Sequence, residues 1–258
     1  MENIFKKPSI RNIRKIMGVA GRTLIDIVYP PRCPLCEKII PAVPGRKRTG
    51  VCRTCIKKIE FIQSPRCFKC GKQLSHDEQE YCTDCRRAKH VYDRGVAALE
   101  YTSELRMSLH RFKYKCRREY AAFYAQMIQY QCGEIIQRWK PDVIMPVPMY
   151  AAKKRARGYN QAELIADRLG EYMNLPVDSR SLIRCRRTKA MKDLGKLDRL
   201  KNVHNAFKIN GNVLKYKKVL LVDDIYTTGT TIDACAAVLK QAGVQKVYYV
   251  SLSIGNGF

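Results

Sequence analysis

Residues Val219–Thr231 read VLLVDDIYTTGTT. Four apolar residues lead straight into two adjacent carboxylates, Asp223 and Asp224. A loop of small residues follows, with Thr227, Thr228, Gly229, Thr230 and Thr231. The apolar spacing beyond it predicts a helix over Ile232–Ala242. Paired carboxylates accept hydrogen bonds from vicinal hydroxyls. A Thr- and Gly-rich loop at a helix N-terminus offers N–H groups and hydroxyls where the helix dipole favours a phosphate. A diol beside a phosphate, as in a ribose 5-phosphate, satisfies both. The pieces taken singly are ordinary, since acidic residues close many strands and Thr-rich turns cap many helices. Their order is what carries the reading. It requires a buried strand whose carboxyl end faces a ligand, as in open α/β sheets.

As an ordered string, this stretch resembles the 5-phosphoribosyl-1-pyrophosphate (PRPP) motif of class I phosphoribosyltransferases. The resemblance implies that Asp223 and Asp224 hold the ribose hydroxyls and that Thr227, Thr228, Gly229, Thr230 and Thr231 cradle the 5-phosphate. It also implies magnesium arriving with PRPP.

The second chemistry-bearing pattern is metal-binding. Eight of the 12 cysteines fall in four Cys-x-x-Cys pairs: Cys33/Cys36, Cys52/Cys55, Cys67/Cys70 and Cys82/Cys85. Fifteen residues separate the first two pairs and eleven the last two. Each such turn aims two sulfurs at one centre, and two turns complete a tetrahedron around zinc. A disulfide framework needs an oxidising compartment that nothing here signals. A thioredoxin-like motif would be a single pair. Two structural zinc ions are therefore expected. Consecutive pairing of the pairs is simplest, and an interleaved pairing stays open. This stretch is too short and too poor in large apolar residues to build a core without metal. Cys116, Cys132, Cys185 and Cys235 are scattered and read as ordinary thiols.

Lysine and arginine outnumber the acids 49 to 23, a formal charge of +26. The excess is shared, with 20 basic against 8 acidic residues in 1–90 and 29 against 15 beyond. Such a field favours polyanions, and with zinc ribbons present single-stranded nucleic acid is the expected partner. Arg22 and Asp26 interrupt the apolar stretch Ile16–Val28, so no membrane span is expected. Residues 9–28 read as a basic amphipathic helix.

From Val91 onward regular elements alternate. Strands are expected at Val96–Tyr101, Asp142–Val147, Val219–Asp223 and Val247–Ser253. Helices are expected at Leu105–Tyr114 and Tyr120–Trp139, and in the stretch from Asn160, where Asn160 and Glu163 resemble a capping box. The alternation predicts an α/β fold with a parallel sheet flanked by helices, preceded by the small four-cysteine-type zinc-ribbon domain. Lys153, Lys154, Arg155 and Arg157 lie in a basic loop ahead of that helix. By the same resemblance that loop contacts pyrophosphate, with Arg155 and Arg157 as candidates. Ser181–Lys201 is basic, shows no strand pattern, and falls where enzymes of this fold carry a closing loop.

Together, the cysteine pairs, RGYNQAELIA at 157–166 and VLLVDDIYTTGTT resemble the ComF family of bacterial competence-associated proteins. The likeness spans nearly the whole chain, including Arg187–Thr188, Arg199, Asn202 and Ala206–Phe207. Met191 stands where a Gln is usual, and Asn205 where a Gly is usual. The implied organisation is a helix at 1–30, a double zinc ribbon at 31–90 and a phosphoribosyltransferase-like domain at 91–258. The implied function is a PRPP-binding accessory to DNA uptake in natural transformation, handling imported single strands in the cytoplasm, at or near the inner face of the membrane. Expected partners are PRPP, single-stranded DNA and competence-machinery proteins, with homodimerisation left open. An active phosphoribosyltransferase acting on a base or amine is the alternative, and a redox or purely structural zinc protein is a third. The tail Ser251–Phe258, expected to meet an acceptor base, holds one aromatic residue.

Overall fold

The computed structural model describes residues 30–41, 50–185 and 206–255. The helix expected at 9–28 lies outside these residues. So do 186–205, with Met191, Asn205 and most of the expected closing segment, and 256–258. The chain divides between Lys58 and Ile59 into two compact units.

The first unit carries a cysteine turn at Cys33–Cys36, closed by the Glu37 N–H donating to the Cys33 carbonyl at 2.8 Å. A one-turn helix, α1 (Arg53–Ile56), starts from Cys52 as its N-cap. The second unit opens with the same device. Gly71 N–H donates to the Cys67 carbonyl at 2.8 Å, and α2 (Thr83–Arg87) starts from Cys82. In both, one Cys-x-x-Cys pair sits in a turn and the other at a helix start.

The rest of the second unit is an α/β layer structure. Its elements are β1 (Arg94–Glu100), α3 (Ser103–Tyr114), α4 (Tyr120–Trp139), β2 (Val143–Pro146), α5 (Ala151–Arg157) and α6 (Gln161–Met173). They continue with β3 (Leu182–Arg184), β4 (Phe207–Ile209), β5 (Lys218–Tyr226), α7 (Thr230–Gln241) and β6 (Lys246–Ile254). Four strands form a parallel sheet in the order β1-β6-β5-β2. β5 is interior and buried on both faces, which is why its apolar residues run without alternation. On one side α4 lies over β1 and β6, α6 lies over β2 and β5, and the two helices touch. On the other side Val219, Leu221, Val247 and Tyr249 share a core with Ile232, Cys235 and Leu239 of α7. Cys67, Cys70, Leu74 and Cys82 belong to that same core.

Four local expectations change. β5 does not end at Asp223 but continues to Tyr226, so both carboxylates lie within the strand. The basic loop is the helix α5, because seven residues without Gly or Pro fit two turns before Gly158 ends them at φ 82°. Leu182–Arg184 forms a strand, antiparallel to β4; three residues are too few to show a period. The capping box is not made, since the Asn160 amide donates to the Val147 carbonyl at 2.9 Å and Glu163 pairs with Lys154.

Candidate functional site

β5 delivers the acidic pair to the carboxyl end of the sheet. Asp223 accepts from the Asp224 backbone N–H at 2.8 Å. Its carboxyl is pushed up to about 7, first by burial and then by the neighbouring Asp224 charge. Asp224 is 9% exposed and receives the Lys113 ammonium at 2.6 Å. Lys113 stands near the end of α3, 111 residues away in sequence. Burial opposes its charge, but Asp224 and then Asp223 carry it above its ordinary value. A buried lone carboxylate pair would repel itself. Lys113 is the residue that makes the pair tenable, and no local sequence signal marks it for that role.

More cations converge here. Lys153 of α5 is lowered first by burial and then by the charges of Arg157, Lys113 and Arg184, with Asp224 opposing. Arg184 of β3 is lowered by burial and sustained in part by Asp223. Lys113, Lys153 and Arg184 thus share one electrostatic neighbourhood with the acid pair. Of the two arginines expected to meet pyrophosphate, Arg157 donates to Gln161 at 2.6 Å and lies 4.9 Å from the centre of the Tyr114 ring. Arg155 is exposed on α5. Tyr114 is exposed, whereas Phe112 two residues earlier is buried in the core.

The loop after the acids turns sharply at Gly229, φ 76°, the N-cap of α7. A Cβ there would lie 2.4 Å from the Tyr226 hydroxyl and 3.0 Å from His90, so only glycine fits. Thr227 and Thr228 are exposed, and the Thr228 and Thr230 hydroxyls share a hydrogen bond of 2.9 Å. The first N–H groups of α7 have no acceptor within their own helix, as at any helix start. The loop is held from behind. His90 Nδ1 meets Asp233 at 2.7 Å, and the Val91 N–H donates to the same carboxylate at 2.6 Å. The Tyr92 and Tyr226 hydroxyls share a hydrogen bond of 2.8 Å. Tyr226 stacks flat on Tyr249, 4.7 Å between centres, and the Tyr249 hydroxyl donates to the Cys70 carbonyl at 2.8 Å. This aromatic stack runs from the second cysteine cluster to the loop.

The cysteines form two groups, Cys33, Cys36, Cys52 and Cys55, and Cys67, Cys70, Cys82 and Cys85. In each, the four sulfurs lie within 4.8 Å of one another. Four thiolates converging on one point are the donor set of a closed, structural zinc site. These are two zinc-binding sites, and the pairs combine consecutively rather than interleaved. Cys132 and Cys235 are buried thiols, Cys185 is partly exposed and Cys116 is exposed.

Fold and site define a class: a double zinc ribbon joined to a phosphoribosyltransferase-type α/β domain. A double zinc ribbon domain matches residues 24–86, and a phosphoribosyl transferase domain matches 130–253. The chain is 29% identical over 205 residues to competence protein F of Haemophilus influenzae, covering 78% of this chain and 88% of that one. It is 27% identical over 227 residues to DNA utilization protein YhgH of Salmonella typhimurium, covering 86% and 96%. It is 27% identical over 208 residues to competence protein ComFC of Streptococcus pneumoniae, covering 78% and 86%. In both domains and in these relatives the chain matches the ComF family. Among the described residues, no helix is long and apolar enough to cross a membrane.

Proposed function

We propose that the protein binds PRPP at the carboxyl end of β5 and serves DNA uptake as a cytoplasmic handler of incoming single strands. The observation that supports PRPP most is the sequence of groups along one edge. The acid pair comes first, then a glycine-turned hydroxyl loop on a helix start, with the half-buried Lys113 and Arg184 and the exposed Lys153 beside them. A diol, a phosphate and a pyrophosphate need those three environments in that order. Asp223 and Asp224 take the ribose hydroxyls. Thr227, Thr228, Gly229, Thr230 and Thr231 take the 5-phosphate. Lys113, Lys153 and Arg184 face the pyrophosphate, with Arg157 behind them. Lys113 must yield part of its bond to Asp224 when the sugar arrives. Magnesium, brought by PRPP, would neutralise pyrophosphate and sustain Asp223 as a carboxylate.

DNA uptake is supported by the relatives, which are competence and DNA utilization proteins. The basic excess supplies the physical means to hold a strand. Calorimetric titration of magnesium–PRPP tests the first half of this reading, with saturable binding expected. For the second half, affinity for a fluorescent single-stranded oligonucleotide is measured against salt. Log affinity should fall linearly with log salt at about −0.7 per phosphate contact. A flat salt response would remove nucleic acid from the account.

A further inference from the structure

The Thr-Gly loop leads into a helix whose first turn holds an acid, Asp233. A carboxylate there suits the helix dipole, but it repels a phosphate bound at the same helix start. Both of its oxygens are engaged from the far side of the loop. His90 Nδ1 meets one at 2.7 Å, and the Val91 N–H donates to the other at 2.6 Å. A carboxylate only accepts, so Nδ1 is the donor in the first of these bonds.

His90 also touches the bend of the loop. A Cβ on Gly229 would lie 3.0 Å from its Cε1. The Asp233 N–H donates to the Gly229 carbonyl at 2.8 Å, so bend and acid belong to one hydrogen-bonded turn. One imidazole therefore meets both ends of that turn. It has little freedom to follow them. Its side chain is 3% exposed and stacks on Tyr92, 4.9 Å between centres at 26°. The Tyr92 hydroxyl is bonded to that of Tyr226, and the Tyr92 carbonyl accepts from the Lys69 ammonium. Asp93 then ties the segment to β6, donating its N–H to the Val247 carbonyl at 2.7 Å and accepting the Val247 N–H at 2.9 Å. His90 lies between the two matched domains, the first ending at 86 and the second beginning at 130, and 143 residues before Asp233.

We propose that His90 is a positioning residue for the 5-phosphate end of the PRPP site, a role that rests on the PRPP reading above. The imidazole holds the Asp233 carboxylate off the face where the phosphate sits and sets the bend at Gly229. The loop N–H groups then meet the phosphate without a competing negative charge. His90 itself does not touch PRPP. Its influence stops short of the pyrophosphate end, which Lys113, Lys153 and Arg184 build.

The experiment is calorimetric titration of the full-length zinc-loaded protein with magnesium–PRPP, ribose 5-phosphate and magnesium pyrophosphate. His90→Phe keeps a ring on Tyr92 and removes the donor. His90→Asn keeps an N–H near the place of Nδ1. His90→Phe should weaken ribose 5-phosphate and PRPP by about tenfold or more, the scale of one charge-assisted hydrogen bond, with pyrophosphate within about twofold of native. His90→Asn should return ribose 5-phosphate to within about threefold of native. Adding Asp233→Asn to His90→Phe should also restore much of the affinity, because the uncompensated charge is gone. If His90→Phe does not fold, His90→Ala with and without free imidazole gives the same contrast. Native ribose 5-phosphate affinity in His90→Phe, an equal loss of pyrophosphate, or no recovery in any rescue arm would overturn the role of His90 while the PRPP reading stands. Absence of PRPP binding to the native protein would overturn both.

Discussion

The two cysteine clusters are built from the same turn and the same one-turn helix, yet they differ in what lies behind them. The residue after the turn adopts positive φ in both, Glu37 at 61° and Gly71 at 74°. At the first cluster a side chain is tolerated there. At the second, a Cβ on Gly71 would lie 2.6 Å from the Val96 Cα, against the first residues of β1. Its cysteines share the sheet's core, and Tyr249 ties the Cys70 carbonyl to the stack beneath the Thr-Gly loop. A zinc motif is thus a module or a structural part depending on the surface it buries. The second one belongs to the scaffold behind the acid pair and the Thr-Gly loop.

The largest expected effect breaks the comparison at the metal. Cys82→Ser with Cys85→Ser should lose one of two zinc ions and abolish cooperative melting of the second unit. Zinc contributes about 10–16 kcal/mol in finger peptides, as much as a typical domain's entire stability. Cys33→Ser with Cys36→Ser should lose the other zinc and leave that melting transition in place. Metal analysis with circular dichroism distinguishes the pair, and equal damage from both would erase the distinction drawn here.

Next come the two turn residues. Gly71→Ala should cost about 1–3 kcal/mol from backbone strain alone, and more from the clash with β1. Glu37→Gly relieves a positive φ and should be near neutral. Denaturant midpoints of the two variants read this directly.

The Thr-Gly loop ahead of α7 offers a sharper cut. Gly229→Ala pushes a methyl group toward the Tyr226 hydroxyl and should weaken PRPP by tenfold or more while both zinc ions stay bound. Retention of native PRPP affinity would mean that the loop does not hold the phosphate.

The smallest effect is a titration. The Asp223 carboxyl is raised from 3.8 to about 7 in the fold. The folded state therefore holds that proton more tightly than the unfolded one. Its contribution is full below the unfolded value and is lost as pH rises through about 7. Asp223→Asn should flatten the native decline in stability between about pH 4 and 7. An unchanged slope would place the carboxylate in an ordinary environment.

Much of this was legible because it is local. Cysteine spacing is a property of turns, and VLLVDDIYTTGTT holds strand, acids and loop within one short stretch. The sheet's class followed from alternating patterns. What escaped detection is assembled over distance. Lys113 looked like any basic residue on a helix, since nothing local marks it as the partner of Asp224. Lys153 and Arg184 reach the same place from α5 and β3. The clash that makes Gly71 obligatory comes from β1, which no reading of the ribbon alone contains. Of the tail expected to meet an acceptor, Ser251 and Ser253 are buried in β6, and 256–258 lie outside the described residues.

The most direct measurement is calorimetric titration of magnesium–PRPP into three full-length proteins: native, Cys33→Ser/Cys36→Ser, and Asp223→Ala/Asp224→Ala. A PRPP site on the acid pair predicts native binding and the same affinity within twofold after loss of the first zinc. Each charge-assisted hydrogen bond is worth about 1.5–3 kcal/mol, so the acid-pair variant should bind at least a hundredfold more weakly. Equal affinity in the acid-pair variant, or no binding to the native protein, would contradict it.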